Sequence, residues 1–356
     1  MKKVNVLMIG PSRYTKGGMA SVVNLMFNSK LCKDVNLKYI STTIDNKFIY
    51  KCYEMIKGFI EYNIQIKWCD VVHIHVASRV STYRKMIYVN LAKKHNKKVI
   101  LHIHGGEYKK FYDIECNARK KSKIKKMFKD TDKVIVLSDE WKDYFSQITD
   151  VDKIIVINNF VSIPLDFQKC LDKPTAVFLG MINKGKGIYD LLEVVRDIIK
   201  IHPKFRLIIG GFGEIDELNK CIGNSLSKNV EYIGWVSGQQ KKDLLEDSTL
   251  FILPSYNEGM PMSILEAMAY KNVCISTNVG GIPSVIENYK NGILINPGNK
   301  TELYNSIINV LADERLKLEL SNNAYATAFE RFNVDNAINK FEDIYKALVF
   351  KDKKGE

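Results

Sequence analysis

The sequence predicts an α/β protein of two doubly wound domains, each a parallel sheet covered by helices on both faces. Three observations carry this. Short Val/Ile-rich runs alternate with helix-length segments along the chain, many of those runs end at glycine, and the rhythm restarts after Asp172-Lys-Pro174. Unbroken apolar strands separated by helices belong to parallel sheets buried on both sides. Glycines at strand ends lie where such folds turn and bind ligands. The length of 356 residues agrees, since a domain takes roughly 100–200 residues.

The elements follow in order. Val4-Asn-Val-Leu-Met-Ile9 reads as a strand, Gly17-Gly18 as a loop and Met19 to Phe27 as a helix. Asp70 to His75 is a second strand followed by a helix over 82–95. Lys98 to His104 runs into Gly105-Gly106, and Lys133 to Ser138 and Ile154 to Asn158 complete the first half, 1–165. In the second half, 166–332, Ala176 to Leu179 ends at Gly180 and leads to a helix from Ile188 to Lys200. Arg206 to Ile209 enters Gly210-Gly-Phe-Gly213, Val230 to Ile233 meets Gly234, Leu250 to Leu253 meets Pro-Ser, and Val273 to Ser276 precedes Gly280-Gly281.

A hydrophobic share of 46% supplies sizeable cores and excludes disorder as the main state. No apolar run is long enough to span a bilayer, and the N-terminus lacks the form of a signal peptide, so a cytoplasmic location is expected. Seven cysteines are scattered without C-x-x-C spacing. They read as reduced thiols and argue against a structural zinc.

The net charge of +13 is unevenly placed. Residues 1–165 carry 30 basic and 15 acidic side chains, whereas the remainder is close to neutral. The densest part, Arg119 to Lys129, has seven basic residues and no acid. A solvated helix face is one reading. Phe111, Ile114, Ile124, Met127 and Phe128 are interleaved there, and an amphipathic helix on anionic lipid is the other. No helix-turn-helix, finger or RNP pattern supports nucleic acid as a partner.

The most informative segment is Pro254-Ser-Tyr-Asn-Glu258-Gly-Met-Pro-Met-Ser-Ile-Leu-Glu266-Ala-Met-Ala269. Glu258 falls in a loop after a strand, and Glu266 lies about a turn inside the helix that follows Pro261, a residue favoured at a first helical position. A helix N-terminus favours a diphosphate, and the carboxylates beside it can accept paired sugar hydroxyls. Here the sequence resembles the retaining glycosyltransferases of family 4, whose signature is P-S-x-x-E-G-x-x-x-x-x-L-E-A-M-A. Gly17-Gly18, His104-Gly105, Ser138, Gly211-x-Gly213, Gly280-Gly-Ile-Pro283, Asn291-Gly292 and Tyr345 extend the resemblance over nearly the whole chain.

The resemblance implies the GT-B fold: two Rossmann-like domains facing across a cleft, with a last helix over 333–350 crossing back to the first. It implies an N-terminal acceptor domain, a C-terminal domain for a nucleotide-diphosphate sugar, and transfer of a hexose with retention and no obligatory metal or cofactor. Glu258 would hold hydroxyls of the donor sugar and Glu266 the ribose. Amides around Met260, Pro261 and Ser263 would cradle the phosphates, and Lys186, in Gly180-Met-Ile-Asn-Lys-Gly-Lys186-Gly187, would stabilise charge on the leaving diphosphate. Gly17 and Gly18 would let backbone approach the donor and acceptor, with Gly180, Gly211 and Gly213 among the further donor-binding positions. His104 would reach the transferred sugar, and Trp235 stands where the base pocket begins. The expected acceptor is a saccharide or polyprenyl-linked glycan in bacterial surface polysaccharide synthesis, at the inner face of the membrane.

The chain departs from the family pattern at Met181, where an arginine is usual; Lys184 would be the substitute cation, without a bidentate fork. Lys271 and Val273 replace a usual Gly and Pro, and Ser284 a common glutamate. Other readings are a GT-B epimerase or phosphorylase and a non-catalytic binding relative. His73/His75 and His102/His104 each share a strand face, but no carboxylate pattern completes a metal site. Asp130/Asp132 and Asp150/Asp152 precede strands and read as loop residues, and a glycosidase pair would need facing carboxylates.

Overall fold

The computed structural model describes residues 3–350, which divide into two compact units, 3–160 with 334–350, and 161–333. The first unit holds six strands: β1 (Asn5–Gly10), β2 (Asn36–Ser41), β3 (Val71–Val76), β4 (Lys98–Ile103), β5 (Lys133–Val136) and β6 (Ile154–Val156). Their order is β2-β1-β3-β4-β5-β6 with every pair parallel. Leu7, Ile9, Val72, Ile74, Val99, Leu101 and Val134 are fully buried in the core. β-Branched runs suit a pleated sheet covered on both faces. The helix Val334–Phe350 belongs to this unit and buries Ala337, Ile338, Phe341, Ile344 and Tyr345.

The second unit repeats the plan with β7 (Thr175–Ile182), β8 (Arg206–Gly213), β9 (Val230–Tyr232), β10 (Leu250–Leu253), β11 (Val273–Thr277) and β12 (Ile293–Ile295), in the order β12-β11-β10-β7-β8-β9. Each sheet therefore reverses direction at one place, between β1 and β3 in the first unit and between β7 and β10 in the second. Ligands of open α/β sheets bind outside the carboxyl ends of strands at such a point.

Two strands and several helices, among them Phe48–Gln65, escape the sequence reading. β2 is an edge strand whose side chains are mostly partly exposed, and β12 has three residues, so neither presents a long apolar run. The helix Phe48–Gln65 buries only Gly58 and Tyr62, which gives it no conventional core-facing stripe. The basic segment is a helix, Ala118–Lys129, capped by Asn117, whose side chain accepts from Lys120 N at 3.0 Å. Its apolar face does not meet lipid as expected: Ile124, Met127 and Phe128 are buried in the core of the first unit, as is Phe111, and of the interleaved set Ile114 alone is exposed. The spacing i, i+3, i+4 is that of a core stripe, and the lysines form the solvated side.

Candidate functional site

The loop after β7 tightens into a turn over Lys184–Lys186, in which the Asn183 side chain accepts from Lys186 N at 3.0 Å. Gly187 follows with φ 69°, a left-handed conformation that glycine adopts without strain. A Cβ there would stand 2.0 Å from Pro254 O, so this turn lies directly on the loop that leaves β10. Tyr256 N donates to Gly185 O at 2.9 Å and locks the two together. From the other side Gly280, with φ 52°, closes on Glu258 O, where a Cβ would be 1.8 Å away.

This backbone packing sets the side chains. Lys186 Nζ donates to Glu258 Oε1 at 2.5 Å, and Ser255 Oγ donates to the same oxygen at 2.7 Å. The Glu258 side chain is only 7% exposed. A buried carboxylate is tolerable only with such partners. Farther along, Pro261 caps the helix Met262–Ala269 from outside, with φ −70° and ψ 122°, so the helix follows Pro261 directly. Ser263 is its second residue and Met260, just before it, is buried. Glu266 faces away from the Lys186 pair in its bonding: its Oε1 accepts from Lys241 Nζ at 2.5 Å.

The remaining positions of the second unit sit at the carboxyl ends of neighbouring strands. Gly180 and Gly211 are in register across β7 and β8, as are Ile182 and Gly213. Met181 and Lys184 are exposed, and Trp235 meets Phe212 edge-on with centroids 5.5 Å apart. Lys186 and Glu258 are thus in direct contact across the switch point between β7 and β10. The sequence reading missed Ser255 as a partner of Glu258, although it stands inside the motif. It also missed Lys241, a residue of the separate helix Gly238–Asp247 that carries no local signal for pairing with Glu266.

In the first unit Gly17 caps the helix Gly18–Phe27 after β1, with φ 132°, and His104 follows β4, its amide donating to Val76 O at 2.9 Å. His104 Nε2 and His75 Nδ1 are 2.8 Å apart, His73 Nε2 and His102 Nδ1 3.3 Å, and His73 Nδ1 lies 2.6 Å from the Tyr345 hydroxyl. Loss of hydration pushes His73 and His104 down to about 3 and lowers His75 and His102 well below the usual imidazole value. His73, His75 and His102 offer nitrogens within 4.8 Å of one another. Zinc with bonds of about 2.0–2.1 Å needs a tighter set. The cluster reads as a buried, partly hydrogen-bonded core capped by Tyr345, in which His75 Nε2 and His102 Nε2 have no partner among the described residues. The other supporting residues are structural too: Ser138 Oγ caps Asp139–Phe145 by accepting from Trp141 N, Asn291 holds Glu287 N and Val285 O, and Asp132 accepts from Val99 N and Lys93 Nζ.

Comparison with known proteins agrees with this geometry. Residues 165–327 match the family model of glycosyl transferases group 1, and residues 38–163 that of glycosyltransferase family 4. An uncharacterized glycosyltransferase of Methanocaldococcus jannaschii is 26% identical over 300 residues, spanning 79% of this chain and 76% of its own length. The poly(ribitol-phosphate) α-N-acetylglucosaminyltransferase of Staphylococcus aureus is 28% identical over 255 residues, 69% of this chain but half of that longer protein. Among solved structures, Anabaena HepE in complex with UDP-glucose superposes with a TM-score of 0.77 over 96% of this chain and 99% of its own, at 16% identity. With two doubly wound sheets of this order and a Lys–Glu pair at the switch point of the second, the chain belongs to the group 1 glycosyltransferases and has the GT-B fold.

Proposed function

We propose that this glycosyltransferase moves a hexose from a nucleotide-diphosphate sugar to a hydroxyl of a saccharide or polyprenyl-linked acceptor, with retention, in bacterial surface polysaccharide synthesis. The observation that carries the reading is the contact of Lys186 with Glu258 at the carboxyl ends of β7 and β10. The ammonium group is held where a leaving diphosphate would gather charge, and the carboxylate, steadied by Ser255, has a free oxygen edge for sugar hydroxyls. Glu266, beyond the first turn of Met262–Ala269, is the ribose acceptor in this reading, and the helix N-terminus with Met260, Pro261 and Ser263 the phosphate seat. Gly180, Lys184, Gly211, Gly213 and Trp235 complete the donor side. Within the first unit, Gly17, Gly18 and His104 are the residues assigned to the sugar and acceptor. His104, held neutral, donates or accepts a hydrogen bond rather than carrying charge.

In the reaction the bond from the anomeric carbon to the diphosphate oxygen breaks and a bond to the acceptor oxygen forms. The acceptor proton passes to the departing phosphate oxygen, so no protein base and no metal is assigned. The S. aureus relative, named as a poly(ribitol-phosphate) α-N-acetylglucosaminyltransferase, and HepE, solved with UDP-glucose, support the substrate class. The excess positive charge of residues 1–165 suits attachment to the anionic cytoplasmic leaflet, where a polyprenyl-linked acceptor resides.

A thermal-shift screen with nucleotide sugars followed by transfer assays tests this. A UDP-sugar should raise Tm, and Lys186→Ala should lower kcat by about 10²–10³-fold. Full turnover in the doubly substituted Lys186→Ala/Glu258→Ala protein, or no Tm shift with any nucleotide sugar, would overturn the reading.

A further inference from the structure

The helix Phe48–Gln65 is amphipathic in the reverse sense. Its inner side is fixed by Gly58 and Tyr62. A Cβ on Gly58 would stand 2.2 Å from Ser41 O, so the helix lies directly on the end of β2, and Tyr62 OH donates to Tyr88 O at 2.9 Å. With that face held inward, Ile49, Tyr53, Ile56, Ile60 and Ile64, spaced four, three, four and four apart, fall on one outward stripe. Each is between 55 and 72% exposed, and Phe48, Met55 and Phe59 are exposed beside them. Lone exposed apolar residues need no explanation, but a continuous stripe of this kind marks an interaction surface.

We infer that this helix, and not the lysine-rich Ala118–Lys129, is the element that inserts into an anionic bilayer surface; the inference rests on the membrane attachment proposed above. Charge selects the occupant. Lys57 is exposed beside the stripe, where it lies 3.8 Å from Glu61, and Lys47 and Lys67 are exposed just beyond the two ends of the helix; Lys51, seven residues before Gly58, is exposed on the other side. The unit around the helix has the large positive excess, and an anionic leaflet complements both features: lipid tails cover the isoleucines while headgroups meet the lysines. The helix lies in the interface plane, since among the described residues no helix is long and apolar enough to cross a membrane.

Flotation of the full chain with phosphatidylcholine vesicles, with and without phosphatidylglycerol, tests this. Ile56→Asp/Ile60→Asp, at two side chains that are both more than half exposed, should fold normally by circular dichroism and bind anionic vesicles at least about tenfold more weakly. Lys123→Ala/Lys125→Ala should lose much less. Ile60→Trp should gain a blue-shifted emission component with anionic vesicles, above the signal of the three native tryptophans. If wild type binds anionic vesicles but Ile56→Asp/Ile60→Asp binds equally well, this inference fails and the membrane reading survives. If wild type binds no vesicle, the membrane reading itself fails, and the inference with it. A wild-type dimer in light scattering that becomes monomeric on Ile56→Asp/Ile60→Asp, with no vesicle binding by either, would assign the stripe to self-association instead.

Discussion

At the scale of single residues, the three buried histidines and His104 beside them tie the stability of the first unit to pH. His73 and His104 are pushed down to about 3, with His75 and His102 shifted the same way by burial. An unfolded chain binds protons at these imidazoles as pH falls below about 6.5, while the folded unit does not. Stability is therefore fully present above that pH and declines below it, by as much as about 1.4 kcal/mol per pH unit for each fully buried histidine. Urea titrations at pH 7 and pH 5 should show a lower midpoint at pH 5, and His73→Phe should flatten the difference even if it lowers both midpoints. A midpoint independent of pH would mean that the cluster is hydrated and titrates normally. The same scale explains the donor side: Lys186 and Glu258 meet because Gly187 and Gly280 allow three loops to touch backbone to backbone.

At the scale of elements, the two amphipathic helices of the first unit exchange the roles that composition gives them. Ala118–Lys129 has the higher density of lysine, yet Ile124, Met127 and Phe128 are buried. Phe128→Ala should cost about 3–5 kcal/mol in a urea unfolding experiment, the usual range for a buried phenylalanine. Lys125→Ala, on the exposed side, should stay within about 0.5 kcal/mol of wild type. Equal, small effects would place Phe128 on an open surface after all. In Phe48–Gln65, Gly58 fills the one inward position where a side chain would strike β2, and this decides which face is left outside.

At the scale of the whole chain, the first unit is discontinuous in sequence, since it is completed by Val334–Phe350. Tyr345 from that helix satisfies His73, and the Phe341 ring lies tilted with its centroid 5.7 Å from those of both His73 and His102. A chain ending at Asn333 should lose the cooperative transition of the first unit and expose its histidine core. The second unit, with its own six-stranded sheet, should keep its transition and its response to a nucleotide sugar. Calorimetry of the shortened chain, with and without UDP-glucose, reads both, and two intact transitions would show that the last helix is dispensable.

Local chemistry along the chain is enough for the class of fold, ten of the twelve strands among the described residues and the position of the Glu258–Glu266 motif. These are local properties: apolar runs, glycines and spacing along one stretch of chain. It does not determine that Lys241 pairs with Glu266, that Ser255 and Lys186 share one oxygen of Glu258, or that four histidines meet under Tyr345. Those contacts join segments whose approach depends on strand order and on how closely loops pack. The sharpest difference lies in the apolar residues of the basic half. Periodicity reports that a helix has an apolar face, but only the packing of Met127 and Phe128 inward and of Ile56 and Ile60 outward decides which face meets protein and which is left for another surface.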